Sequence, residues 1–158
     1  MTLVRVAALS FVSSLVLAVP MGVALALIAV GSTGVEHPLW TLAIWVSVSV
    51  VLHEVGHVLA LAAGGRRPAD VRIGTMGVSL VIPADVDPRT LAWSAAAGPL
   101  AALAGCLALA LAVGPSADRA ALVVLGVAHA VTLLVPVGDG KVLAGAVLRC
   151  RAAARVRG

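Results

Sequence analysis

Between Val6 and Val35, and again between Thr90 and Ala117, the chain carries no charged side chain. The stretch 120–138 holds only His129, and 38–65 is apolar apart from one knot, His53-Glu54-Val55-Gly56-His57. A helix needs about 20 apolar residues to cross the hydrocarbon core of a bilayer. Spans are therefore expected at 6–30, 39–63, 91–113 and 120–138. Of the 158 residues, 61% are hydrophobic and 11% charged, against about 25% charged in an ordinary soluble domain. That much apolar surface excludes a soluble fold. The expected class is an all-α integral membrane protein of about four transmembrane helices, a single membrane-embedded domain over 1–158.

The first span has a competing reading as a signal peptide, with Ala24-Leu25-Ala26 as a small-residue cleavage site. Its apolar run is longer than the usual h-region of about 7–15 residues, so a retained helix is expected. Basic residues orient the chain. Arg5, then Arg66, Arg67, Arg72 and Arg89, then Arg149, Arg151, Arg155 and Arg157 share one side, whereas Arg119 stands alone on the other. This asymmetry places both termini and the 64–90 segment in the cytoplasm of a multi-pass cell-membrane protein. Trp40 and Trp93 fall at span ends, where amphipathic rings belong. The pI near 10.5 then reflects topology and attraction to lipid headgroups. No basic stripe interleaved with aromatics exists, so no nucleic-acid partner is expected. Cys106 and Cys150 form no metal or disulfide pattern. Abundant Ala, Val and Arg with a single Lys suggest a bacterial genome of high GC content.

The loop 66–88 between the second and third spans contains a β-branched core, 71–82. Gly74-Thr75-Met76-Gly77 separates "DVRI" from "VSLVI", the pattern of a short β-hairpin. In the third span, Gly98 with Ala102 and Ala101 with Gly105 are small-xxx-small pairs for close helix packing, and Pro99 predicts a kink or local unwinding. In the fourth, Pro136, Gly138 and Gly140 surround Asp139. The helix is expected to break there and resume through Val142 to Leu148. A carboxylate beside broken backbone at membrane depth is a functional-site candidate by default.

The knot matches H-E-x-x-H. Residues i and i+4 lie one turn apart on one helix face, so His53 and His57 can reach one metal ion. Glu54 points about 100° round the helix, beside the metal, where it can take a proton from water. Zinc (Zn2+) lowers the pKa of a bound water towards about 7. A catalytic zinc site uses three protein ligands and keeps one position open. Glu36, Asp70, Asp85, Asp87 and Asp118 all lie outside the spans, which leaves Asp139 as the third ligand. Depth agrees: His57 lies about 27 Å along its helix and Asp139 about 28 Å along its own, both running in the same direction. His129, ten residues before Asp139, would lie about 15 Å from it along a straight helix. It is expected to make an interhelical hydrogen bond instead.

"HEVGH", "AAGPLAA" and "PVGDGK", in this order and spacing over 39–148, resemble the site-2 protease family of intramembrane zinc metalloproteases. The resemblance implies three core helices, with His53, His57 and Asp139 as zinc ligands and Glu54 as general base. It also implies hydrolysis of a single-span membrane protein, such as an anti-sigma factor or membrane-bound regulator, within or beside its helix. The form is minimal, without a PDZ or CBS module. Thr132 stands near a position where family members commonly carry asparagine. Ala102 and Lys141 likewise replace a frequent asparagine and a frequent glycine.

Two other functions compete with the protease. A non-catalytic metal-binding scaffold would keep the ligands but not productive substrate binding, which the three departures would suit. An ion or metal transporter fares worst, because the first and third spans hold no ionisable residue to form a path.

Overall fold

In the computed structural model, residues 39–66, 68, 70–74 and 77–157 are described. The expected span at 6–30 lies outside them. The run before and after the H-E-x-x-H knot forms one helix, α1 (Leu39–Ala63), with the limits the apolar pattern implies. Two short strands follow, β1 (Asp70–Gly74) and β2 (Gly77–Val81), paired antiparallel from Asp70 opposite Val81 to Gly74 opposite Gly77. Arg66 and Asp85, 2.7 Å apart, join the two ends of this insertion.

Helix α2 (Pro88–Ala112) begins earlier than the uncharged run suggested. Asp87 caps it, accepting from the amides of Arg89 and Thr90 at 3.0 Å each, and Pro88 occupies the first turn, where a missing N–H is harmless. The expected unwinding at Pro99 does not occur: α2 is continuous through it, and the ring is buried. Bonds from the Thr90 hydroxyl and then the Thr90 amide hold the Asp87 carboxyl below the usual carboxylate range. The stabilisation is complete above the unfolded aspartate value of about 3.9 and disappears as the pH falls through the lower folded value. Asp87→Asn keeps a capping oxygen and should abolish this component of acid destabilisation, read as a flatter pH dependence of thermal melting in detergent.

The fourth expected span is not one helix over 120–138. Helix α3 (Ala117–Val131) passes into a single 3-10 turn at Thr132–Leu134, and the chain leaves helical geometry before α4 (Gly138–Arg157) starts. Gly138 has φ +51°, a conformation open to glycine at little cost. Gly140 lies so close to the carbonyls of Val135 and Thr132 that no side chain fits between. The break therefore precedes Asp139 and leaves it in the first turn of a new helix.

Among the described residues, three stretches are long and apolar enough to cross a membrane, Thr41–Ala63, Pro88–Ala112 and the interrupted Ala117–Arg155; the other expected span, 6–30, lies outside those residues. Helix α2 is central, packing against α1, α3 and α4. The buried positions are mostly small, among them Ala43, Ala95, Ala102, Cys106, Ala110 and Ala146. Small side chains let backbones approach where lipid offers no hydrophobic drive for association. Leu111, Val124, Leu134 and Leu148 point outward, as lipid-facing side chains do. Both cysteines are free.

Polar links tie α1 to α3. Trp45 Nε1 donates to Asp118 Oδ1 at 2.8 Å, which the reading of Asp118 as a loop residue did not anticipate. Trp45→Phe keeps the ring and removes the donor. A bond to a charged acceptor contributes about 1.5–3 kcal/mol, and a loss of that order is expected in thermal or denaturant unfolding in detergent micelles.

Candidate metal centre

The 3.6-residue period of α1 puts His53 and His57 on one face, with ring centroids 4.7 Å apart and planes 80° to each other. The restart of α4 brings Asp139 against both. Its Oδ2 lies 3.0 Å from His53 Nε2 and its Oδ1 3.4 Å from His57 Nε2. The two Nε2 atoms are 3.1 Å apart. One ligand atom from each of the three residues thus falls within 4.8 Å of the others, and this group can hold a metal ion.

The hydrogen-bond pattern fixes the orientation of His57. His57 Nδ1 lies 2.6 Å from the carbonyl oxygen of Ser94 on α2. A carbonyl can only accept, so Nδ1 carries the proton and donates it. In the neutral ring, Nε2 then presents a lone pair to His53 Nε2 and to the carboxylate. Lone pairs facing one another at these distances repel unless a proton on an imidazole or a cation lies between them. Two imidazoles and a carboxylate, with one imidazole oriented from behind by a backbone carbonyl, are a donor set suited to a divalent transition metal. His53 Nδ1 is buried and has no hydrogen-bond partner among the described residues.

Glu54 is buried, at 7% exposure. It lies within electrostatic reach of His53, His57 and Asp139 but is not one of the group that can hold the ion. It thus sits beside the three residues that can hold an ion and not among them.

Helix α2 shapes the site from the other side. Gly98 lies directly beneath the His57 imidazole: an added Cβ would fall onto Nε2, Cε1 and Cδ2 of the ring. Gly56, on α1, faces the carbonyl of Ala97 and the side chain of Ala101 in the same way. The "AAGPLAA" stretch was read as a helix-packing element. It packs, and in packing it also fits the His57 ring. Ser94 was not singled out in the sequence, since a backbone acceptor has no side-chain signature. Its place one turn before Gly98 was the available clue.

His129 Nε2 makes the interhelical bond expected of it, to Ser49 Oγ at 3.2 Å. Its ring also lies 4.9 Å from that of His53. The straight-helix separation from Asp139 does not apply, because the backbone is broken between them. Both residues reach His53, although His129 is not part of the metal-holding group.

Fold and site together define a helical, membrane-compatible protein with a site able to hold a metal ion at the meeting of three helices. Comparison with family models, curated proteins and solved structures found no match to this chain.

Proposed function

We propose that the chain is a zinc-dependent intramembrane endopeptidase that hydrolyses a single-span membrane protein within or beside its helix. The observation that carries this reading is the convergence of His53, His57 and Asp139 on one point, with Glu54 buried beside them. Three ligands, leaving a place for substrate, suit a catalytic zinc better than a structural one. The resemblance of "HEVGH", "AAGPLAA" and "PVGDGK" to the site-2 protease family supports the same reading.

Bound zinc supplies Lewis acidity, polarising the scissile carbonyl and making water acidic enough to attack it. The chain's own residues do the rest. Glu54 accepts the proton that water gives up as its oxygen bonds to the carbonyl carbon. As the C–N bond breaks, Glu54 returns that proton to the departing nitrogen. Asp139 and His53 fix the ligand geometry from two helices, and Ser94 holds the tautomer of His57. A helical substrate must unwind to expose its carbonyls. The antiparallel pair of β1 and β2 has strand edges of the kind that take up an extended segment. The distribution of arginines supports placing these strands and both termini in the cytoplasm.

One observation favours a second reading, a metal-binding scaffold without activity. The Thr132 hydroxyl, near the position of the family's asparagine, donates to the His129 carbonyl at 2.6 Å. That bond turns the hydroxyl onto its own helix and occupies its proton.

The purified protein, reconstituted with co-expressed single-span proteins, decides between the two. Cleavage that stops with a zinc chelator, returns with zinc and is absent from His53→Ala is the expected result. Stoichiometric zinc with no cleavage of any such protein would establish the scaffold.

A further inference from the structure

Helices α2 and α4 leave between them a groove of about 380 Å³. Arg89, Ala92, Trp93 and Ala96 line it from α2, and Leu143, Val147, Cys150 and Arg151 from α4. Each set follows the i, i+3/i+4, i+7 spacing of a single helix face. The short 113–116 link turns the chain back after α2, and α3 and α4 continue together as one stretch, Ala117–Arg155, so α4 runs against α2, which sorts the groove along its length. Ala96 and Leu143 lie at one end, and Arg89 and Arg151 at the other.

The arginine end is the polar end of the membrane. Arg89 is the last charge before the uncharged run of α2, and Arg151 belongs to the basic series Arg149, Arg151, Arg155 and Arg157. Trp93, 70% exposed, stands between the two zones, where an indole ring suits the level of the headgroups. Among the described residues lining the groove there is no carboxylate to neutralise the guanidinium groups. The apolar stretch 6–35 offers none either, since it has no acidic residue. A second cavity on the far side of Trp93 is lined by Ala60, Ala63, Gly64 and Thr90 and has no charged wall.

We propose that this groove is a binding site for an anionic phospholipid. The phosphate sits between Arg89 and Arg151, and one acyl chain lies along Ala92, Ala96, Leu143 and Val147. Guanidinium groups bind phosphate oxygens through paired N–H donors, and the apolar walls select a ligand with a hydrocarbon tail. The site lies on the opposite face of α2 from Ser94 and Gly98 and is independent of the protease reading.

Native mass spectrometry of the full chain in detergent, titrated with phosphatidylglycerol or phosphatidylcholine, tests the proposal. The wild type should retain phosphatidylglycerol and not phosphatidylcholine. Arg89→Gln with Arg151→Gln should lower the apparent affinity by about thirtyfold, as expected for two cations at an anionic surface. Arg149→Gln with Arg155→Gln removes as much charge, from the helix that carries Arg151 but outside the groove, and should retain the lipid. Ala96→Leu leaves both arginines and fills the apolar end, so it should also lose the lipid. Equal retention of phosphatidylcholine, or equal loss in the Arg149/Arg155 control, would overturn the proposal. Displacement by millimolar inorganic phosphate would do the same, by assigning the arginines to a free anion. A dimer that excludes lipid from the groove would assign it to a second copy of the chain.

Discussion

Glu54→Gln should bind zinc stoichiometrically and cleave its substrate at least about a hundredfold more slowly than the wild type. The substitution is nearly isosteric at a buried position. It alters none of the three residues that converge on the ion, so metal affinity has no reason to fall. It does remove the carboxylate that, on this reading, accepts a proton from water and returns it to the leaving nitrogen. General acid–base catalysis by a placed carboxylate is worth about 10²–10⁴ in rate. Metal content by elemental analysis and cleavage of a reconstituted single-span protein, measured on the same preparation, give both halves of the result. Full activity in this variant would refute the mechanism outright. The inactive protein that still holds metal is also the form in which to trap and identify the natural substrate.

A comparable loss, of metal and not of rate alone, is expected from Gly98→Ala. One methyl group at this position occupies the space of the His57 ring. The ring cannot swing aside freely, because its Nδ1–H is bonded to the Ser94 carbonyl on the same α2. Either α1 and α2 separate or His57 leaves the cluster. Disturbing the groups that orient a metal ligand typically costs about 10–100-fold in metal affinity, and a competitive zinc titration reads that range directly. Gly105→Ala is the control. There the added carbon would meet only the flexible end of Leu52, so metal affinity should hold while packing adjusts. Wild-type zinc affinity in Gly98→Ala would show that the contact beneath His57 has no part in holding the ion.

The limits of α1 were legible because hydrophobicity alone determines them. The start of α2 was less so: Asp87 and Pro88 set it by capping and by ring geometry, and both lie outside the apolar run. The meeting of Asp139 with the histidine pair could be read because, besides Glu54, it is the one acidic residue that the charge pattern leaves at membrane depth. The manner of its arrival could not. The cluster of Pro136, Gly138 and Gly140 pointed to a break, but only the fold shows that the break ends at Gly138 and that Asp139 begins the next helix. His129 illustrates the same difficulty. Distances counted along an ideal helix lose their meaning once the helix is interrupted, so its contact with His53 was hidden while its hydrogen bond to Ser49 was foreseeable in kind. The partners of His57 were the least visible. A carbonyl and a missing side chain leave no chemical mark in a sequence.

The triad also joins distant parts of the chain. His53 and His57 belong to α1 and Asp139 to α4, while Ser94 on α2 grips His57 from behind. A metal ion held there acts as a reversible cross-link between segments far apart in sequence, and its binding energy becomes folding energy. At a free concentration about a thousandfold above the dissociation constant, such a ligand adds about 4.1 kcal/mol to the stability of the state it binds. That is a large share of the roughly 5–15 kcal/mol that holds a typical domain together. Metal supply would then govern how long the helices stay assembled as well as whether the site can act, and a starved cell would lose the protein along with its chemistry.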